Sequence, residues 1–248
     1  MIGSNLTALK RAVVRSSAVR YLRSVVPGDI PGFGSERPPP MQVRRIEQTE
    51  TKRRLIEQHL GDEDENVLDI GCDAAVIARQ LAETDRPVLG VDRYARYEGS
   101  HEYAEAAARK NKGLAVMRLA VTPENITRLP TFDVVLLFSV FHYWYREFGR
   151  EAAGEMLSEL SGVNKLFFSS SSLGYRYEQG DASDDHCPPF TDRDRESVVE
   201  FHEELLRSTL GEEYSIEYLD EINYSIADVA QVPSYDTEPR YVLLASQE

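Results

Sequence analysis

The chain has 248 residues and is 42% hydrophobic, long enough for one substantial domain with its own core. Its net charge of −14 argues against a nucleic-acid groove as the main binding surface. No apolar run approaches the roughly 20 residues that span a bilayer, and the two cysteines, Cys72 and Cys187, make neither a disulfide framework nor a zinc spacing.

The charge is unusual in kind and in distribution. Arginine outnumbers lysine 23 to 5, against 42 acidic side chains, the balance expected of a protein adapted to high salt. At molar salt the Debye length is only about 3 Å, so this charge says little about partners. Residues 1–60 carry a net of +6 and the remainder a net of −20, so the N-terminal segment presents a different surface from the body. Polar and basic residues interrupt every apolar stretch up to Val26, which does not suit a signal peptide and makes a cytoplasmic protein the expectation.

Residues 2–24 read as a basic helix, with Ile2, Leu6, Leu9 and Val13 on one face and Lys10, Arg11 and Arg15 off it. Such an arm suits packing on the body or on a partner subunit, or peripheral contact with a membrane or acidic partner through residues 1–25. Residues 27–40, rich in proline and glycine, form a linker, so the expected division is an arm over 1–40 and a domain over 41–248.

The spacing then predicts a helix over 41–60, a strand over 66–70, a helix over 74–83 and a strand over 87–91 closed by Asp92. A helix over 102–112 and strands over 114–119 and 133–139 follow, the last apolar throughout, as a central parallel strand should be. A helix over 147–161 carries Phe148, Ala152, Met156 and Leu160 at helical spacing, and a strand covers 165–170. A polar loop over 171–192 places Tyr175 and Tyr177 as candidate substrate contacts. A helix over 193–210 faces Val198, Phe201 and Leu205, with Val199 beside them, inward. Strands over 214–219 and 240–246 close the chain. Alternating strands and helices mean a doubly wound α/β domain, a mostly parallel seven-stranded sheet covered on both faces. The last two strands, joined only by a loop, must pair antiparallel.

An apolar strand that stops at Gly71 beside a helix start is where nucleotide-like cofactors dock. A dinucleotide enzyme wants G-x-G-x-x-G there, with an acid about 20 residues on. Asp92 supplies the acid, but Asp73 and Ala75 stand where bare backbone would admit a pyrophosphate. A nicotinamide oxidoreductase is therefore disfavoured, and a cofactor without a pyrophosphate fits better.

Three segments in register, Val67-Leu68-Asp69-Ile70-Gly71-Cys72, Leu89-Gly90-Val91-Asp92 and Phe132-Asp133-Val134-Val135-Leu136-Leu137, resemble the class I S-adenosylmethionine-dependent methyltransferase family. The resemblance covers about residues 41–248 and implies a Rossmann-like fold with an antiparallel last strand. It implies that Asp69, Gly71, Cys72 and Asp73 lie along the methionine part of S-adenosylmethionine and that Asp92 holds the ribose. The chain departs from the family's G-x-G-x-G loop at Asp73 and Ala75, and the acid often found after the third strand gives way to Val121-Thr122-Pro123-Glu124-Asn125. Thr122 is then the candidate reader of the adenine edge.

Ser139-Val140-Phe141-His142-Tyr143-Trp144 follows the central strand, at the carboxyl edge where α/β sheets keep their sites. The resemblance puts this segment beside the transferred methyl, with Ser139 on the cofactor side. His142 is the candidate base for a hydroxyl or amine acceptor, its alternative being a hydrogen-bonded structural histidine. Tyr143 stands beside it. Asp184-Asp185-His186-Cys187 has no partner at ligand spacing, so no metal is expected. The function these residues favour is methyl transfer to a small molecule or glycan. A cofactor-binding protein of the same fold, with little or no catalysis and acting through its basic arm, is the other reading.

Overall fold

The structure is a computed structural model that describes residues 46–93, 99–178, 188–225 and 237–247. The N-terminal arm, its linker and the Asp184–Cys187 cluster lie outside the described residues.

The predicted alternation is present. Helix α1 (Ile46–His59) leads into β1 (Val67–Ile70), α2 (Val76–Ala82), β2 (Val88–Asp92), α3 (Ser100–Lys110) and β3 (Leu114–Arg118). Then come β4 (Val134–Phe138), α4 (Phe141–Phe148), α5 (Arg150–Ser158), β5 (Lys165–Ser169), α6 (Arg195–Leu210), β6 (Tyr214–Ser225) and β7 (Thr237–Gln247). The seven strands form one sheet in the order β3-β2-β1-β4-β5-β7-β6. All pairs are parallel except those made by β7, which runs antiparallel to both β5 and β6. The order reverses between β1 and β4, so the crevice above their carboxyl ends is the expected ligand position.

Side-chain alternation sorts the core onto two faces. Val67, Val134, Leu136, Phe138, Phe167, Val242 and Leu244 pack beneath α1, α2 and α3, with Leu55, Ile56, Ala78 and Leu81 among their partners. Leu68, Ile70, Val135, Leu137, Phe168 and Leu243 pack beneath α4, α5 and α6, with Phe141, Met156, Leu157 and Leu206. Asp69 shares the parity of Val67, so the strand delivers a carboxyl to the α1 face.

Two expectations need correction. The helix over 147–161 is two helices: α4 begins at Phe141 and ends at Gly149, whose φ of 87° and ψ of 169° break the ladder before α5. Helical spacing ran through the break because both helices pack on the same core. On α6 the fully buried stripe is Val198, His202, Leu206 and Leu210 with Phe201, while Leu205 and Val199 are only partly covered. A histidine on the inner face displaced the expected leucine register.

The amino edge of the sheet is closed by a different set of residues. Asp133 Oδ2 accepts hydrogen bonds from the Glu65 and Asn66 amides (3.0 Å each) and from Asn66 Nδ2 (2.8 Å). Beside it, Lys165 Nζ contacts Asp64 (2.6 Å) and Glu63 (3.1 Å). Asp133→Ala strands three donors, so urea denaturation should show a loss of about 2 kcal/mol with little change in slope. A loss below about 0.5 kcal/mol would mean that water replaces the carboxylate at no cost.

Candidate active site

The site is built where β1 turns into α2. Gly71 (φ 79°), Asp73 (φ 48°) and Ala75 (φ 53°) all hold left-handed backbone, alternating with Cys72 and Ala74. Two of the three left-handed positions are therefore held without glycine. An L-residue in this region costs roughly 1 kcal/mol, with Asp more tolerant than Ala, so neighbouring bonds must hold the turn. They do: Gly71 N–H (2.7 Å) and Cys72 N–H (3.3 Å) both donate to the Val91 carbonyl, and Asp73 N–H donates to Asp92 Oδ2 (3.0 Å). Ala75 N–H closes the turn on the Cys72 carbonyl at 2.7 Å.

Two close approaches explain the glycines that remain. A Cβ on Gly71 would fall 2.4 Å from Val140 Cγ2, so the end of β4 lies directly against the β1 turn. A Cβ on Gly90 would fall 2.9 Å from Cys72 Sγ, so Cys72 is packed onto β2. Ser139, at the end of β4, is itself left-handed (φ 64°), and its amide donates to the Ser169 carbonyl at 2.8 Å. The turn after β1 and the turn after β4 thus meet over the point where strand order reverses.

Asp69 is 5% exposed. Burial raises its carboxyl from the ordinary 3.8 to about 7; the Lys52 ammonium opposes the rise, and the Asp92 and Asp73 carboxylates add to it. Lys52 reaches this place from α1. It is 8% exposed, with Nζ 4.6 Å from the centre of the Phe138 ring and 5.2 Å from that of Tyr224. The Arg240 guanidinium lies 4.3 Å from the same Tyr224 ring. Arg240 also contacts Glu238 through Nε and Nη2 (3.2 Å each), and Arg176 reaches Glu238 at 3.0 Å. Burial pushes the Glu238 carboxyl up, but the two arginines outweigh it and hold the group below the usual carboxylate range. Lys52, Tyr224 and Arg240 are the residues that sequence reasoning missed; each stands in a segment that looks ordinary by itself.

The other expected site residues separate into groups. Asp92, Asp73, Gly71 and Ser139 lie together, half-buried, along the crevice, with Cys72 and Asp69 behind them. Tyr143 is half-buried, its ring 5.5 Å from Arg93 Cζ and 5.1 Å from Arg146 Cζ, facing the end of β2. His142 lies with its ring centre 4.2 Å from that of Tyr143 and is 1% exposed. Its Nδ1 is 3.4 Å from Ser170 Oγ, which in turn lies 2.8 Å from the Tyr177 hydroxyl. Tyr177 is fully buried and also contacts His202 Nε2 (3.1 Å), so it is a core residue and not a substrate contact. Burial pushes His202 down to about 3, so it is neutral. Tyr175 is 37% exposed. Thr122 is engaged within its own loop: its amide donates to Asn125 Oδ1 at 2.9 Å, and its hydroxyl helps hold the Glu124 carboxyl down. Among the described residues, no group of three or more His, Cys, Asp or Glu side chains is placed to hold a metal ion, and no helix is long and apolar enough to cross a membrane.

Neither a protein-family model nor a curated protein matches the sequence. Solved structures do match. The chain superposes on WbdD, a bifunctional kinase-methyltransferase, with a TM-score of 0.54 at 20% identity, covering 91% of this chain and 46% of that one. It superposes on the methyltransferase domain of bacterial CtHen1 with a TM-score of 0.51 at 12% identity, covering 82% and 99%. This is a methyltransferase fold. EvdMO1 gives 0.53 at 15% identity, over 92% of this chain and 47% of that one. The chain spans less than half the length of WbdD and EvdMO1. Within this fold the left-handed turn follows β1, one of the two strands at which the order reverses, and Asp92 ends its neighbour β2.

Two outcomes test this geometry. Asp73→Gly should stabilise the protein by about 1 kcal/mol, by relieving left-handed strain, whereas Asp73→Val should destabilise it by more than that; equal effects would mean the turn is not held left-handed. The second concerns pH. A raised carboxyl keeps a proton in the folded state that the unfolded chain has already released, so stability falls as pH rises from 3.8 to about 7. Asp69→Asn should remove that fall and leave the variant more stable above pH 7, by on the order of 4 kcal/mol. Parallel stability–pH curves for the two proteins would contradict the assignment.

Proposed function

We propose that the protein is an S-adenosylmethionine-dependent methyltransferase acting on a hydroxyl or amine of a small molecule or glycan. One observation carries this: the backbone is left-handed at residues 71, 73 and 75, and its middle amide is tied to the carboxylate that ends β2. A loop that keeps this shape with two non-glycine residues is under a positional demand, and a cofactor laid along it would make that demand.

The residues present fit that cofactor. The missing Cβ of Gly71 lets Val140 pack against the turn, Asp92 offers a carboxylate to the ribose hydroxyls, and Asp69 and Cys72 back the methionine side. Thr122 borders the adenine side. The cofactor, when bound, supplies a methyl group on a sulfonium, which is displaced in line, so the first task of the chain is positioning. Tyr143 walls the crevice toward Arg93, and His142 anchors the first turn of α4 through Ser170. The likeness to WbdD and CtHen1 supports methyl transfer as the reaction class.

S-adenosylhomocysteine at about 100 times its dissociation constant should stabilise the fold by about 2.7 kcal/mol, read as a raised melting temperature, while NAD at the same concentration should not. Asp92→Ala should abolish the shift. No shift with S-adenosylhomocysteine at millimolar concentration would sink the cofactor assignment.

A further inference from the structure

We infer that Ser139 and Tyr224 form a proton relay for the acceptor, with Ser139 as the catalytic residue at the crevice and Tyr224 acting through it. The inference rests on the cofactor reading above. Ser139 is half-buried at the carboxyl end of the central strand, next to Val140, which touches the Gly71 turn. Its hydroxyl lies 3.3 Å from the Tyr224 hydroxyl. Tyr224 is 8% exposed and sits behind it, away from solvent.

The surroundings of Tyr224 are what a phenolate needs. Lys52 from α1 lies beside the ring, its Nζ 5.2 Å from the ring centre, and Arg240 from β7 lies 4.3 Å from it. Ser139 from the end of β4 supplies the third contact. Among the described residues the other charges nearby are Glu238, the cross-strand partner of Tyr224 on β7 and bound to Arg240 and Arg176, and Asp69, acted on by Lys52. Two cations at the ring favour loss of the phenolic proton, while the Glu238 carboxylate beside it is engaged by its two arginines. Burial works in the opposite direction, and the two cations overcome it, bringing Tyr224 from the ordinary 10.0 down to about 8. His142, by contrast, is turned into the core toward Ser170.

The step balances. The proton of an acceptor hydroxyl passes to Ser139 Oγ while the Ser139 proton passes to the Tyr224 phenolate. The acceptor oxygen, its electron pair freed, forms the new carbon–oxygen bond as the sulfonium–methyl bond breaks and sulfur keeps that pair. Tyr224, now a neutral phenol, gives the proton back through Ser139 to solvent in the crevice before the next cycle.

Binding of S-adenosylmethionine and S-adenosylhomocysteine across pH tests the relay without knowledge of the acceptor. The two differ by a methyl and the positive charge of the sulfonium, so an ionising tyrosine near the methyl should favour the charged ligand alone. In calorimetric titrations from below pH 7 to above pH 9, the ratio of their affinities should rise about tenfold through pH 8. Tyr224→Phe should lose that rise while keeping any rise near pH 7 that belongs to Asp69. If the variant does not fold, tyrosinate absorbance of the unaltered protein gives the second readout. One tyrosine should ionise near pH 8, at lower pH with S-adenosylmethionine than with S-adenosylhomocysteine. Both ligands binding with a ratio flat through pH 8, or no tyrosine ionising below the ordinary range, overturns the relay. Failure of both ligands to bind overturns the cofactor reading instead.

Discussion

The hydrogen bond from the Asp73 amide to the Asp92 carboxylate ties the turn after β1 to the end of β2. A turn with two non-glycine residues in left-handed conformation is unfavourable by itself. Held by this bond and by two amides on the Val91 carbonyl, it becomes a fixed surface above the sheet. Gly71 then lets Val140 close against it, which sets Ser139 at the crevice. The position of the turn and that of Ser139 follow from the same few contacts.

Behind that surface the protein buries charge, and it does so on one face of the sheet. Asp69, Lys52, Tyr224, Arg240 and Glu238 meet above the core beneath α1, while the opposite face carries a polar chain of His142, Ser170, Tyr177 and His202. Buried charge is unfavourable unless partnered, and here each ion has a partner: Arg240 and Arg176 share Glu238, and Lys52 is set between Phe138, Tyr224 and Asp69. Chains of this kind polarise one another, which fits a role in controlling protonation better than one in stability alone.

Much of the fold was legible in the sequence. The apolar run at Val134–Phe138 and the punctuation by Gly71 and Asp92 marked strands and turns, and the short link between the last strands required their antiparallel pairing. The turn itself was legible only in part, since Asp73 and Ala75 look unsuited to left-handed backbone until the bonds that hold them are known. The break at Gly149 was hidden because both helices bury residues of one continuous period. Lys52 and Tyr224 were invisible for a plainer reason. Lys52 sits between Thr51 and Arg53 in a helix that reads as solvated, and its meaning comes from residues 86 and 172 positions away, Phe138 and Tyr224. No local pattern carries that.

Amide hydrogen exchange with and without S-adenosylhomocysteine tests the central claim most directly, because it reports where the ligand lies. The account predicts new protection at residues 71–76, at the end of β2 around Asp92, and at Ser139–Val140, with the amino edge near Asp133 unchanged. Protection that spares the turn, or that appears at the amino edge instead, would contradict it.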